Sequence, residues 1–247
     1  MTVCVFLGPT LGAGEAAAVL DAVYLPPVRR GALEDAVRAH GADTVAVIDG
    51  YFEQVPAVWH KEILWALGAG VDVWGAASMG ALRAAELAQF GMRGHGRIYE
   101  SYRSGRFAPF ETPFEDDDEV AVVHGPAGLE AVSTVAMVDI RATLAAAAED
   151  GAIGLGTCRA MAAAIKALFY KERTWARALA ACRGAGIPAG AVAALERRLP
   201  EGAVWQKRRD ALALLALLAA GPPPAPPPRF RFERTLLWEI AHGRYVT

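Results

Sequence analysis

Three short, apolar, β-forming runs are spaced through the first ninety residues, with helical stretches between and after them, and each run stops at a cluster of turn residues. Residues 3–7 end at Gly8-Pro9-Thr10, residues 44–48 at Asp49-Gly50, and residues 71–74 at Gly75-Ala76-Ala77-Ser78. None of these runs alternates apolar with polar residues, so both faces of each strand are expected to be covered. Residues 15–22, 55–67 and 79–88 read as helices, with Pro56 tolerated in the first turn of the second. Such alternation makes a parallel sheet with helices on its faces. Ligands of such sheets gather at the carboxyl ends of the strands, so the turn clusters are where chemistry is expected.

The pattern changes further along. Residues 120–123 read as one more strand, closed by His124-Gly125-Pro126. Residues 137–148, 158–170, 174–182, 189–199 and 205–219 read as helices, rich in Ala and Leu. The Pro-rich run 222–228 adopts polyproline II and acts as a semi-rigid spacer, and 236–244 reads as a short terminal helix. The expected fold class is α/β, with a parallel-sheet strand-helix core at the N-terminal side and a mainly helical C-terminal half. The expected domains are an α/β core over 1–150, a helical region over 151–221, and a spacer with a terminal segment over 222–247.

Composition excludes several function classes. The 247 residues are 54% hydrophobic, ample for a sizeable core. A net charge of −2 without a long basic run gives no bulk attraction to nucleic acid or an anionic membrane. The longest apolar run, 211–220, is short of the roughly 20 residues that span a bilayer. Three widely separated cysteines read as reduced thiols of a cytoplasmic protein, and the first residues lack the charged start of a signal peptide. No metal or cofactor is expected. The stretch from Gly8 to Gly14 lacks the P-loop Lys-Ser/Thr and the full dinucleotide pattern, which leaves a plain turn, an oxyanion donor or a weak nucleotide site.

Ala76-Ala77-Ser78-Met79-Gly80 follows a strand and opens a helix, the setting of a nucleophile elbow. Small residues flank the serine, and the helix N-terminus supplies free N–H groups, Met79 among them, for an oxyanion. The alternative is that Ser78 merely caps the helix. An activated serine needs a base. No context singles out His60, His95 or His124. Lys61 has Ala57, Val58, Leu64 and Trp65 at helical spacing, which places it in an apolar stripe where burial would lower its pKa. It either takes the proton from Ser78, as in Ser-Lys hydrolases, or snorkels to water. Arg83 either pairs with Glu86 along the helix or faces the pocket to hold a carboxylate. Asp49, beside Gly50, either orients Lys61 or a water, or caps the turn that follows. The acidic run 115–119 reads as a solvated loop, a cation site or a dock for a basic partner.

Several long strings resemble the TfuA family in order and spacing: FLGPT at 6–10, DGYFEQVPAVWHKEIL at 49–64, GAASMGALRAAELAQFGMRGHGRIYESYRSG at 75–105, DDEVAVVHGPAG at 117–128 and MVDIRATLAAA at 137–147. The resemblance implies a part in peptide backbone thioamidation beside an ATP-dependent YcaO enzyme. It implies hydrolysis of a thiocarboxylated sulfur-carrier protein of the ThiS type, with the precursor peptide as a further partner. It also implies a Ser-Lys pair, matched here by Ser78 and Lys61; the strand ends and helix start offer Gly8, Pro9, Thr10, Asp49, Gly50, Met79 and Arg83 as oxyanion or substrate-binding candidates around it. The alternative is a non-catalytic adaptor that strengthens YcaO's hold on its peptide.

Overall fold

The computed structural model describes residues 2–53, 55–123 and 134–241; His124 and part of the predicted terminal helix lie outside them. Five parallel strands form one sheet: β1 (Val3–Phe6), β2 (Val23–Leu25), β3 (Thr44–Val47), β4 (Asp72–Gly75) and β5 (Arg93–Gly94), in the order β2-β1-β3-β4-β5. The fold is α/β, as the strand-helix alternation predicts. The chain winds one way from β1 to β2 and the other way from β3 onward, so the crevice between β1 and β3 is the switch point where such sheets bind ligands.

Successive residues of a strand point to opposite faces, and the burial follows that period. Cys4 and Phe6 of β1, with Val45 and Val47 of β3, pack against α2 (Ala32–His40), α3 (His60–Gly68) and α4 (Met79–Leu87). Val3, Val5, Ala46 and Trp74 face the other way, onto α1 (Ala13–Ala17) and, from far along the chain, α10 (Gln206–Ala219). Ala211, Leu214, Leu215 and Leu218 form the stripe that α10 lays on the sheet.

The remaining helices are α5 (Arg97–Ser104), α6 (Met137–Glu149), α7 (Leu155–Lys166), α8 (Trp175–Gly184), α9 (Ala189–Arg198) and α11 (Leu236–Ala241). Helix α6 is buried on nearly every side, the mark of a central helix; α7, α8, α9 and the aromatic loop at Phe107, Phe110 and Phe114 pack in the same core. Asp210 of α10 accepts the Ile98 N–H at 2.7 Å and so caps α5.

Three readings from the sequence need correction. Residues 120–123 pair with no strand among the described residues; Val120 follows a single 3-10 turn, Asp117–Glu119. The helix expected from 55 begins at His60, because Pro56 is held in a loop whose carbonyl accepts the Arg30 N–H. The acidic run is not simply a solvated loop. Glu119 is fully buried and makes two hydrogen bonds to Arg141, at 2.8 and 2.9 Å. Asp118 pairs with Arg173 and Lys166, and Asp116 with Lys166. The sequence reading also passed over β2, α2, β5 and α5.

Candidate active site at the carboxyl end of the sheet

The turn from β4 into α4 is built for close approach. A Cβ on Gly80 would lie 1.7 Å from the Val47 carbonyl oxygen, and one on Gly75 would lie 2.0 Å from the Gly80 oxygen. The first turn of α4 thus rests directly on β3. To make the corner, Ala77 takes φ = 66° and the Ser78 N–H folds back onto the Ala76 carbonyl at 2.7 Å. A positive φ with this bond is a strained γ-turn for a residue with a Cβ. Ser78 occupies the N-cap position, yet its side chain makes no capping bond. Capping alone therefore does not account for it. The hydroxyl is buried against the wall of a cavity of about 190 Å3. Gly80 N–H is taken by the Ile48 carbonyl, while Met79 N–H, first in the helix, has no helical carbonyl to meet.

Asp49 and Gly50 border the same cavity, as does Pro9. Asp49 is buried; its Oδ2 accepts the N–H groups of Gly8 (2.9 Å) and Thr10 (3.1 Å), and its Oδ1 accepts the Thr10 hydroxyl (2.6 Å). Asp49 therefore organises the β1–α1 turn. The donors that the sequence offered to an oxyanion at Gly8 and Thr10 are already engaged, and Pro9 has none.

Lys61 is not brought to this cavity by any bond. The buried stripe of α3 runs through Glu62, Ile63, Ala66 and Leu67, so Lys61 lies beside it. Its Nζ sits 4.8 Å from the centre of the Phe232 ring. Phe232 packs over Gly68, two turns further along α3, so the amine points along the helix. Glu62 turns inward instead and receives the Gly31 N–H at the start of α2.

Two lysines line the Ser78 cavity: Lys171, which is exposed and paired with Glu53, and the buried Lys207, in the first turn of α10. Only 5% of the residue is exposed, and Nζ donates to the Val120 carbonyl at 2.8 Å. Burial pushes its pKa below the usual lysine value, while the carboxylates Asp49 and Asp139 act in the opposite direction. Asp139 of α6 accepts the Lys207 N–H at 3.0 Å. Burial pushes the Asp139 carboxyl up to about 6, against the bond and charge of Lys207. The sequence reading missed both residues. The signal was present: Lys207 precedes Ala211, Leu214, Leu215 and Leu218 at spacings of 4, 7, 8 and 11, the buried stripe of its helix.

Two larger cavities adjoin. One of about 510 Å3 shares Pro9, Val122 and Lys207 with the Ser78 cavity and extends to Trp175 and Trp205. The other, about 480 Å3, shares Phe52, Glu53 and Tyr170 and reaches Met79 and Arg83. Arg83 pairs with Glu86 along its helix and also borders the second of these cavities. Its Nη1 binds Glu86 at 2.6 Å, in a chain completed by His60, while it lines that cavity with its buried Nε unpartnered.

The TfuA-like protein family matches residues 49–174, just over half of the chain. The chain belongs to the TfuA-like protein family. No curated protein sequence matches it. Family membership is consistent with a YcaO-associated role in thioamidation. The matched segment carries Ser78, Asp49, Arg83 and Asp139 and stops short of Lys207, so the TfuA-like match and the cavity meet from different parts of the chain. Among the described residues no helix is long and apolar enough to cross a membrane.

Proposed function

We propose that this TfuA-like protein is a serine hydrolase that releases sulfide from a thiocarboxylated carrier protein of the ThiS type, supplying a YcaO enzyme that thioamidates a peptide backbone. The observation that carries the reading is the uncapped Ser78 hydroxyl sharing a small cavity with the buried Lys207 amine. Lys207 thereby takes the place first expected of Lys61.

The steps follow from the groups present. Neutral Lys207 keeps one lone pair and already donates to Val120. It takes the Ser78 proton as Oγ attacks the thiocarboxylate carbon. Met79 N–H stands at the helix start to receive the oxyanion. The C–S bond breaks and sulfur leaves with the proton returned by Lys207. Water then attacks the Ser78 ester, giving Lys207 its proton, and the C–Oγ bond breaks to free the carboxylate and restore the hydroxyl. The net change is thiocarboxylate plus water to carboxylate plus hydrogen sulfide. Ser78 and Lys207 are not hydrogen-bonded in this structure; catalytic hydrogen bonds commonly tighten only when substrate is bound.

The test is sulfide release from purified thiocarboxylated carrier. Ser78→Ala is expected to abolish it and Lys207→Met to lower it at least about a hundredfold, while Lys61→Met stays near wild type. An adaptor that only strengthens YcaO's grip on its peptide would support thioamidation equally well with Ser78→Ala, whether or not free sulfide is added. That outcome, or full sulfide release by Lys207→Met, defeats the proposal.

A further inference from the structure

The sequence Val-Ala-Val-Val at 120–123 has strand-forming composition, yet it joins no sheet among the described residues. Its ends are fixed: the Val120 carbonyl accepts Lys207 Nζ, and the Val123 N–H donates to Thr134 Oγ1 at 2.8 Å. Between them the peptide groups of Ala121 and Val122 have no hydrogen-bond partner among the described residues, although Ala121 is only 2% exposed. Backbone groups this far from the surface are almost always paired. Both residues line cavities. Ala121 borders the one at Arg83, and Val122 borders both the Ser78 cavity and the one running out to Trp175 and Trp205.

The cavities differ in what they can hold. At about 190 Å3 the inner one falls below the roughly 300–1,000 Å3 of pockets that enclose whole small molecules. It takes a chain terminus. The outer one, about 510 Å3, is continuous with it past Pro9, Val122 and Lys207 and is walled by two tryptophans. A tapered channel with the Val122 peptide on its wall, unpaired among the described residues, matches the way extended peptides add to an open strand edge, where main-chain bonds supply affinity.

We propose that substrate enters as an extended polypeptide end, pairing its backbone with Val122 where the outer cavity meets the inner one, so that its terminal carbonyl reaches Ser78. This rests on the hydrolase reading for its choice of terminus. It adds a mode of recognition that is indifferent to most side chains and demands very small residues beside Pro9 and Lys207.

Calorimetry on the Ser78→Ala protein tests the inference without turnover. The probes are an eight-residue peptide ending in two glycines and analogues N-methylated singly at each of the last four residues. At least one of these methylations is expected to weaken binding tenfold or more, because it removes a main-chain donor, while methylation of the first residue changes it less than twofold. Val122→Pro, which deletes an N–H of the wall, should weaken binding similarly, and Val122→Ala should not. The peptide scan uses the unaltered wall, so it stands even where Val122→Pro fails to fold. Equal binding by all the methylated peptides, or binding of N-acetylglycine as tight as that of the peptide, overturns the inference. Backbone-dependent binding in a protein that releases no sulfide would leave this inference standing and sink the hydrolase reading.

Discussion

A charged amine held away from water is costly, and a carboxylate nearby offsets part of that cost. Lys207 stands between these two effects. Burial favours its neutral form, while Asp49 and Asp139 favour the ammonium. Asp139→Asn keeps an oxygen for the Lys207 N–H and removes one of the two charges. Lys207 then loses its proton more easily, and the acid limb of the kcat/KM profile for sulfide release is expected to move to lower pH. An unmoved limb would show that Lys207 is not the titrating base. The same substitution has a stability signature. Asp139 holds its proton more tightly in the folded state, up to about 6, than in the unfolded chain. Its contribution is full below the unfolded value and is lost as pH rises through about 6. At full loss it amounts to about 3 kcal/mol. The stability of Asp139→Asn relative to wild type should therefore rise between about pH 4 and 6 and level off above, as measured by urea unfolding. At this scale the local setting of Ser78, a strand end opening a helix, was legible in the sequence. Which lysine lies by Ser78 was not legible, because Lys61 and Lys207 both head apolar stripes, and only docking of the helices decides which amine is buried at the cavity.

Strand and helix positions were legible where one short run carried its own pattern. The expected strand at residues 3–7 and β1, that at 44–48 and β3, and that at 71–74 and β4 differ by a residue or so at an end. What escaped notice was held by partners distant in sequence. β5 is two residues long and exists because β4 pairs with it. α5 begins where Asp210, over a hundred residues away, caps it. Residues 120–123 carry the composition of a strand and pair with no strand among the described residues. The β4–α4 turn gives a test of what an element's packing requires. Gly80→Ala would drive a methyl into the Val47 carbonyl, and neither backbone has room to yield. A loss of about 3 kcal/mol or more is expected from the shift in urea midpoint. Gly156→Ala in α7 meets nothing within 4 Å and should instead gain about half a kcal/mol from helix propensity. If Gly80→Ala were as mild as Gly156→Ala, the close seat of α4 on β3 would be wrong.

Across the whole molecule, the site depends on a long-range closure: Ser78 and Asp49 sit at strand ends in the first third of the chain, and Lys207 arrives on α10 only because that helix docks on the sheet. The segment after α10 docks elsewhere. Arg93 holds the Pro223 carbonyl at 2.8 Å, Phe230 meets Phe90, and Trp238 is buried against Trp65 and Phe232. Leu236, Leu237 and Ile240 remain more than half exposed, so this strap is anchored largely through Trp238. Two substitutions separate the closures. Leu214→Ala opens a fully buried position in the α10 stripe, at a cost of about 2–5 kcal/mol; sulfide release and amide protection of α10 should vanish at the same, lowered urea concentration. Trp238→Ala removes a larger side chain, but the strap can open by itself. Hydrogen exchange should then accelerate over residues 229–241 alone, with sulfide release within about twofold of wild type. Loss of activity in Trp238→Ala with α10 still protected would mean that the strap, rather than the docking of α10, holds the catalytic groups together.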